Sequence, residues 1–279
     1  MEDLDEQLPS ILDNQVSITN LAARAAQGFT LREKRLFMAG LSKLDPRKKK
    51  SDLTLKERTF RVTAAEYAEL SQITEEKNAY RDLLSACEKL RTRHLRYKIA
   101  TPMGYKERVF NWVGGLTYHH GEGWVEFSLT EEIMPHVCEL SKHFTKYRLR
   151  QTSELRSIYS WRLLELLTSH NDANDEAKLQ VRVLSLVDLR SGLEIPDSYK
   201  YDDIKRQVIE HAVNELVKKD HWGIQWRPIK KGRAVTAIEF TFNREPPTKM
   251  IGNTSDRDPN TVDWVDDQFR NPNHPNFGE

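Results

Sequence analysis

Two basic clusters near the end of the chain contain residue types that bind nucleic acid. They are Lys205, Arg206 and Gln207, and then Lys230, Lys231 and Arg233 around Gly232. A guanidinium group can donate to both major-groove acceptors of a guanine, whereas an ammonium group attracts phosphate as a point charge. Arg206 is therefore the best candidate for a base contact. The cluster around Gly232 is the best candidate for phosphate contacts that set position.

The first cluster lies in a segment with helical periodicity, and the second lies between two segments with strand periodicity. Ile204, Val208, Ala212 and Leu216 recur every four residues, which predicts a helix with one apolar face. The opposite face contains Asp203, Arg206, Gln207, Glu210 and Asn214. Lys205 projects toward the apolar side, so we expect it to reach a phosphate at most. A helix followed by a hairpin with a basic tip is typical of a winged helix. A surface helix and hairpin of any α+β domain would have the same pattern.

The same order of elements is predicted twice. The first copy has a helix after Thr30, a strand near Thr59, helices at 64–70 and 75–90, and alternating segments at 95–99, 108–118 and 124–129. The second copy has a helix at 153–168, a strand at 179–183, a helix at 184–191 and then the helix and hairpin described above. We therefore expect an α+β fold of two tandem winged-helix domains, each a helical bundle with a β-hairpin wing. The first would span residues 15–142 and the second residues 143–244.

The charge distribution supports contact with phosphates. The net charge of +1 combines −5 in residues 1–14, −4 in residues 245–279 and +10 in residues 15–244. A basic folded part between acidic ends favours nucleic acid as the partner. We interpret residues 1–14 as an acidic extension and residues 245–279, which are rich in Pro and Asn, as a disordered tail.

A third basic cluster follows the helix predicted at residues 75–90. Residues 81–98 have a net charge of +4, and Arg81 and Ser85 project from the helix face opposite its apolar stripe. The candidate DNA contacts of the first domain are Lys77, Arg81, Ser85, Arg91 and Arg93. A solvated helix end would have the same composition.

The composition also argues against several classes of protein. No apolar run approaches the roughly 20 residues that cross a membrane, and the acidic N-terminus does not resemble a secretory signal. Cys87 and Cys138 are too few for a disulfide scaffold and lack zinc-site spacing, so both are expected in the core. We expect a cytoplasmic protein without a metal or cofactor.

An enzyme that nicks DNA through a tyrosine is the alternative from another class of protein, and we expect no such activity. Its chemistry needs a metal held by two histidines that flank one residue, with a tyrosine nucleophile nearby. Tyr118, His119 and His120 are present, but adjacent side chains on a strand point to opposite faces. No GxxxxGK[ST], HExxH or GxSxG motif occurs. A transcriptional regulator built from two winged helices is a second alternative, because it would share every DNA-binding feature.

Three segments resemble the iteron-binding replication initiators of theta-replicating bacterial plasmids, the Rep_3 family. They are TLREKRLFMAGLSKLDP, HFTKYRLRQTSELRSIYSWRLLELL, and YKYDDIKRQVIEHAVNELVKK with KKGRAVTAIEFTF. They occur in the family's order, and the resemblance covers about residues 15–244.

The resemblance implies a function that spacing alone does not. A monomer of this family binds double-stranded origin repeats, the iterons, through both domains, and the melted origin recruits the host initiator and replicative helicase. A homodimer, formed through the N-terminal domain, represses the initiator's own promoter at an operator. The family's C-terminal recognition helix carries its basic cluster where this chain has Lys205, Arg206 and Gln207, with Glu210 further along. Gln207 stands where many relatives are basic.

Overall fold

The computed structural model describes residues 10–169 and 178–244. The first half contains β1 (Gln15–Thr19), α1 (Asn20–Arg24), α2 (Leu31–Leu41), β2 (Thr59–Thr63), α3 (Ala64–Ser71), α4 (Glu76–Leu90), β3 (His94–Thr101), β4 (Gly104–Asn111), β5 (Val113–His119) and β6 (Trp124–Leu129). The second half contains β7 (Phe144–Arg148), α5 (Arg150–Ser153), α6 (Ile158–Thr168), β8 (Gln180–Ser185), α7 (Leu186–Leu193), α8 (residues 201–220), β9 (Trp222–Lys231) and β10 (Ala234–Arg244). The predicted tail, residues 245–279, and most of the predicted N-terminal extension lie outside the described residues.

Both halves contain the predicted order of helix, strand, helix, helix and hairpin. In the first half, α2, β2, α3 and α4 precede the hairpin β5–β6, and the sheet has the strand order β2-β6-β5. In the second half, α6, β8, α7 and α8 precede the hairpin β9–β10, and the order is β8-β10-β9. In each sheet the first strand pairs antiparallel with the second strand of the hairpin. The α+β fold of two tandem winged-helix units is confirmed.

An additional hairpin, β3–β4, interrupts the first copy of this order. Its strands form a sheet with each other, from His94 with Asn111 to Thr101 with Gly104, and an isolated bridge joins Arg96 to Ala26. The expectation of one alternating segment at residues 108–118 is therefore wrong, because β4 and β5 belong to different sheets. The chain changes direction at Trp112, whose indole is buried and donates to the Gln27 carbonyl oxygen at 2.9 Å. That contact joins residues far apart in the chain, so the local alternation could not reveal it.

The first residues of the two predicted domains contact each other. Strand β1 pairs antiparallel with β7, from Gln15 with Arg148 to Thr19 with Phe144. The strand at the start of the predicted second domain thus forms a two-stranded sheet with the strand at the start of the predicted first domain. The domain boundary at residue 142 stays a prediction.

Aromatic side chains fill the core of the first unit. Phe37 of α2 packs against Trp112 at a ring-centroid distance of 4.9 Å and against Phe127 of β6 at 5.6 Å. Gly40, one turn further along α2, faces the same Phe127 ring. A Cβ atom added at Gly40 would lie 2.4 Å from Phe127 Cζ. The glycine therefore lets helix α2 approach the sheet closely.

A buried polar cluster joins α2 to α6. The Glu165 carboxylate, which is fully buried, lies 2.8 Å from Lys34 Nζ and 2.6 Å from Arg162 Nη1. It also accepts a hydrogen bond from the Tyr147 hydroxyl at 2.7 Å. Burial lowers the pKa of Lys34 to about 8, although Glu165 partly opposes that shift. The two cations keep the pKa of Glu165 below its usual value, although burial alone would raise it.

Two further sequence expectations can be compared with the fold. Cys87 and Cys138 are buried free thiols, as predicted. Among residues 10–169 and 178–244, no helix is long and apolar enough to cross a membrane.

Candidate nucleic-acid interface

Helix α8 presents one buried face and one exposed face, as its periodicity predicts. Six apolar side chains of α8 are buried in the second unit: Ile204, Val208, Ile209, Ala212, Val213 and Leu216. The segment Ile204–Glu210 is π-helical, and α-helical segments lie on either side of it. Hydrogen bonds from i to i+5 widen this part of the helix, and such segments occur often at functional sites.

The predicted base-contacting residues lie on the exposed face of α8. Arg206 is 70% exposed, and its nearest carboxylate is that of Asp203, at 4.0 Å. Gln207 Nε2 donates to Asp203 Oδ1 at 3.3 Å, so one carboxylate orients both side chains. Lys205 is also exposed and lies 3.8 Å from the half-exposed Glu210. The expected position of Lys205 on the apolar side is wrong, because the π-helical segment changes the angle between successive side chains.

A cleft of about 680 Å³ lies beside these residues. Arg206, Gln207 and His211 line it from α8, and the start of α2 and the start of α6 line the rest. Sequence reasoning missed His211, although its spacing of four residues from Gln207 puts both on one helix face. His211 is exposed, and an imidazole can donate to or accept from a base or phosphate.

The wing β9–β10 ends in the predicted basic turn. Gly232 has φ of +64°, a left-handed conformation that glycine adopts without steric cost. Lys230, Lys231 and Arg233 are all exposed around it. Midway along the wing, Arg227 forms a two-pronged ion pair with Glu239 on the opposite strand, at 2.6 and 3.1 Å. The exposed tip therefore extends from two strands that this ion pair joins.

The first unit has a basic groove between α4 and β5. Its volume is about 1520 Å³, and Lys77, Arg81, Ser85 and Arg91 all line it. Arg81 is 72% exposed, and its nearest carboxylate is that of Asp82, at 3.8 Å. His120, at the turn of the β5–β6 hairpin, lies on the same groove. The structure thus brings together four of the five DNA contacts predicted for this unit.

Arg93, the fifth, points into the protein. Its guanidinium group donates to both carboxylate oxygens of Glu33 at 2.7 and 2.9 Å. Burial alone would raise the pKa of Glu33, but the hydrogen bonds from Arg93 and Thr30 keep that pKa below its usual value. Glu33 caps helix α2, because the Thr30 amide donates to its carboxylate at 2.9 Å. Arg93 therefore links α2 to the start of β3, and we do not retain it among the candidate DNA contacts.

The tyrosine and histidines of the nicking alternative do not form an activated site. Tyr118 lines the groove, and burial together with the nearby Cys87 raises the pKa of its hydroxyl to about 12. An activated nucleophile needs the opposite shift. His119 packs on the Trp124 ring, whereas His120 faces Tyr118. Within the part of the chain that the structure describes, no group of three His, Cys, Asp or Glu residues could hold a metal ion.

Comparison with protein families identifies two winged-helix regions, the first of which also covers β7, α5 and α6. Residues 15–168 match the family model described as Initiator Replication protein, WH1, and residues 185–242 match that described as Initiator Rep protein, WH2. The chain belongs to the Rep3 family of replication initiators. In this Rep3 initiator, the first match includes the α4 groove, and the second includes α8 and the basic wing.

A solved structure agrees on the fold of this Rep3 initiator. The chain is similar to the Pi initiator protein in a crystal structure with iteron DNA. Sequence identity is 23% and the TM-score is 0.68, over 84% of this chain and 98% of the other.

Two other similarities are too weak to add to the argument. One is to the WH1 domain of MSBI1.176, a replication protein isolated from a multiple sclerosis patient, with 22% identity over 38% of this chain and 77% of the other, and a TM-score of 0.29. The other is to domains 2 and 3 of RctB, with 9% identity over 77% of this chain and 81% of the other, and a TM-score of 0.43.

Proposed function

We propose that this protein initiates plasmid replication by binding iteron repeats in double-stranded DNA at the origin. The observation that supports this most directly is the exposed face of α8, where Arg206 and Gln207 project beside a basic wing in the WH2 unit. A helix of this size enters the major groove, and a wing extends toward the flanking phosphates. The Pi initiator, which has the same fold, was crystallised with iteron DNA.

Each candidate DNA contact of the WH2 unit has a role in this proposal. Arg206 donates to the two major-groove acceptors of a guanine, and Gln207 donates to and accepts from an adenine. Glu210 accepts from a cytosine amino group, and Lys205 neutralises a phosphate. The wing residues Lys230, Lys231 and Arg233 bind phosphates, so they add affinity without choosing a sequence.

The α4 groove supplies a second DNA contact in the WH1 unit. Lys77, Arg81 and Arg91 bring three positive charges to a surface that also contains Ser85. A half-exposed hydroxyl among basic side chains suits a phosphate oxygen as acceptor. Two separate contact surfaces on one chain support binding of a single extended repeat by a monomer.

The remaining parts of the proposal depend on the family resemblance alone. They are a homodimer that represses its own promoter at an operator, recruitment of the host initiator and the replicative helicase, and action in the bacterial cytoplasm. None of these needs a cofactor.

Fluorescence anisotropy on the repeat from this protein's own origin tests the DNA-binding proposal. A scrambled duplex of the same composition serves as the comparison, and both are titrated across a salt series. We expect a preference of about a thousandfold for the repeat and a steep loss of affinity with salt. Equal and weak binding to both duplexes would overturn the proposal.

Permanganate probing of the origin separates an initiator from a transcriptional regulator. Unpaired thymines in an AT-rich segment beside the repeats should become reactive when the protein binds supercoiled origin DNA. Tight binding without any reactive thymine would leave repression as the function.

A further inference from the structure

Residues 154–157, which connect α5 to α6, are held by contacts from α2 and from the end of α3. Arg35 of α2 donates from Nη2 to the Leu155 carbonyl oxygen at 2.8 Å. Arg156 donates to the Ser71 carbonyl oxygen and to Gln72 Oε1 at 3.1 and 3.0 Å, at the end of α3. This connecting segment is therefore attached to the same helical bundle that carries α4.

The same segment is also held by α8 of the WH2 unit. The Glu215 carboxylate accepts hydrogen bonds from the Arg156 and Ser157 amides at 3.1 Å and from Ser160 Oγ at 2.7 Å. Lys219, one turn further along α8, donates to the Glu154 carbonyl oxygen at 2.8 Å. Glu215 thus binds the N-terminus of α6 from a neighbouring helix.

The contact of Glu215 has the features of a strong one. The residue is only 9% exposed, and its carboxylate lies beside the first turn of an 11-residue helix. Backbone amides at a helix N-terminus favour an anion, and hydrogen bonds to a charged group are stronger than neutral ones. Burial would raise the pKa of Glu215, but the hydrogen bonds from Ser160 and Arg156 hold that pKa below its usual value.

Glu215 and the base-contacting residues lie on the same helix. Arg206 and Gln207 line the cleft of about 680 Å³ together with Arg156 and Ser157, whose backbone amides donate to the Glu215 carboxylate. Because α8 is continuous from residue 201 to residue 220, an anchor at Glu215 fixes the direction in which the exposed face points. The anchor is attached to the WH1 unit, so it also fixes that face relative to the α4 groove.

We propose that Glu215 is a positioning residue that sets the separation of the two DNA-contacting surfaces and thereby the half-site spacing that the protein accepts. The inference rests on the proposed function, because it assumes that both units contact one DNA repeat. Glu215 itself does not contact DNA. Its effect is on the geometry of binding, not on which bases are preferred.

A spacing series tests the proposal. Selection from random duplexes with the full wild-type chain supplies a DNA target, and hydroxyl-radical footprinting locates the two protected regions. One base pair is then inserted or deleted between these regions. We expect either change to weaken wild-type binding by about tenfold or more, as a mismatched base pair does. Glu215→Gln should lose less than about threefold, because the amide keeps the size but removes the charge. In the orientation that keeps the Ser157 and Ser160 contacts, its NH2 group faces two other donors, the Arg156 amide and the Lys219 ammonium.

Two further variants make the result interpretable. Ser160→Ala removes one hydrogen bond to the same carboxylate from the other side, and it should also reduce the spacing penalty. It carries the test if circular dichroism shows that Glu215→Gln does not fold. Glu154→Gln removes an equal charge from an exposed side chain in the connecting segment, and it should keep the wild-type penalty.

The outcomes distinguish the inference from the function on which it rests. A wild-type spacing penalty in folded Glu215→Gln and Ser160→Ala would overturn the positioning role and leave the proposed function intact. Selection of no sequence by the wild-type chain would overturn the proposed function, and the inference with it. A single protected region in the footprint would overturn the inference but not sequence-specific binding.

Discussion

Arginine side chains in this protein divide by what their guanidinium groups contact. Arg206 and Arg81 project into solvent from helices α8 and α4. Arg93 and Arg162, in contrast, are paired with the buried carboxylates of Glu33 and Glu165. An exposed guanidinium can meet the planar edge of a base or phosphate, whereas a paired one contributes to the fold. Position in a basic cluster of the sequence does not distinguish the two.

Arg206→Ala tests the base contact on α8. We expect a loss of about 1–3 kcal/mol on the preferred repeat and a relaxed preference at one position. Anisotropy titrations on repeats substituted at each position measure both effects. Arg47→Ala is the matched control. Arg47 is 85% exposed in a loop away from α8, and its loss removes the same charge. Unchanged preference at every position would remove Arg206 from base contact.

Glu165→Gln tests the buried polar cluster. The change leaves two buried cations, Lys34 and Arg162, without a counter-charge, so we expect a loss of about 3–5 kcal/mol in the free energy of unfolding. Lys34→Met should cost less, because it retains the ion pair between Arg162 and Glu165 and the methionine fills similar space. Urea denaturation of both variants gives the comparison. A larger cost for Lys34→Met would contradict this account of the cluster.

Helices and hairpins determine which surfaces are exposed for the proposed DNA contacts. Helix α8 buries six apolar side chains, and that packing leaves a single face exposed for contact. Midway along the wing, Arg227 and Glu239 join its two strands, and the basic residues at its tip are exposed. In the first unit, helix α2 lies close against the β2-β6-β5 sheet and so supports it.

Lys231→Ala tests the wing as a phosphate contact. Affinity for the repeat and for random duplex should fall by similar factors, and the slope of log affinity against log salt should decrease by about one. Titrations of both duplexes across a salt series provide the measurement. Lys146→Ala removes an equal charge from an exposed position on β7 and should change neither slope. A loss confined to the specific repeat would show that the wing contacts bases.

Gly40→Ala tests the packing of α2 on its sheet. Alanine favours the helix by about 1 kcal/mol, but the added Cβ would lie 2.4 Å from the Phe127 ring. Overpacking of this kind costs about 1–3 kcal/mol, so we expect net destabilisation. Gly114→Ala is the control, since its Cβ would meet Thr130 at an ordinary 3.6 Å. Thermal unfolding of both variants decides, and a stabilised Gly40→Ala would contradict the packing.

The whole molecule combines a basic folded region with acidic ends. Residues 15–244 hold a net charge of +10, which favours association with DNA, although the chain as a whole is nearly neutral. Several of the carboxylates inside the folded region serve as structural anchors. Glu33, Glu165 and Glu215 each join segments distant in the chain, and the pKa of each lies below its usual value.

Stability at acid pH should depend on these three carboxylates. A folded-state pKa below the unfolded value of 4.5 stabilises the fold above pH 4.5, and that contribution is lost as pH falls through the folded-state pKa. We therefore expect the free energy of unfolding to fall as the pH is lowered from about 5. Urea denaturation across pH measures the effect, and Glu33→Gln should reduce the slope. An identical slope in that variant would exclude Glu33 as a contributor.

Sequence alone determined the features that depend on local periodicity. The repeated order of elements, the two faces of α8, the basic tip around Gly232 and the cap formed by Thr30 and Glu33 were all predictable, because each depends on residues within about one or two helical turns. The exposed positions of Arg206 and Lys231 follow from the same local patterns.

Only the tertiary structure decided which charged residues are paired inside the fold and how the two units are joined. Arg93 contacts Glu33 across 60 residues, and Glu215 contacts Ser160 across 55. Strand β1 pairs with β7, and the hairpin β3–β4 separates from β5 at the buried Trp112. Such contacts depend on the meeting of segments that are distant in the chain, and local sequence patterns contain no information about which segments meet.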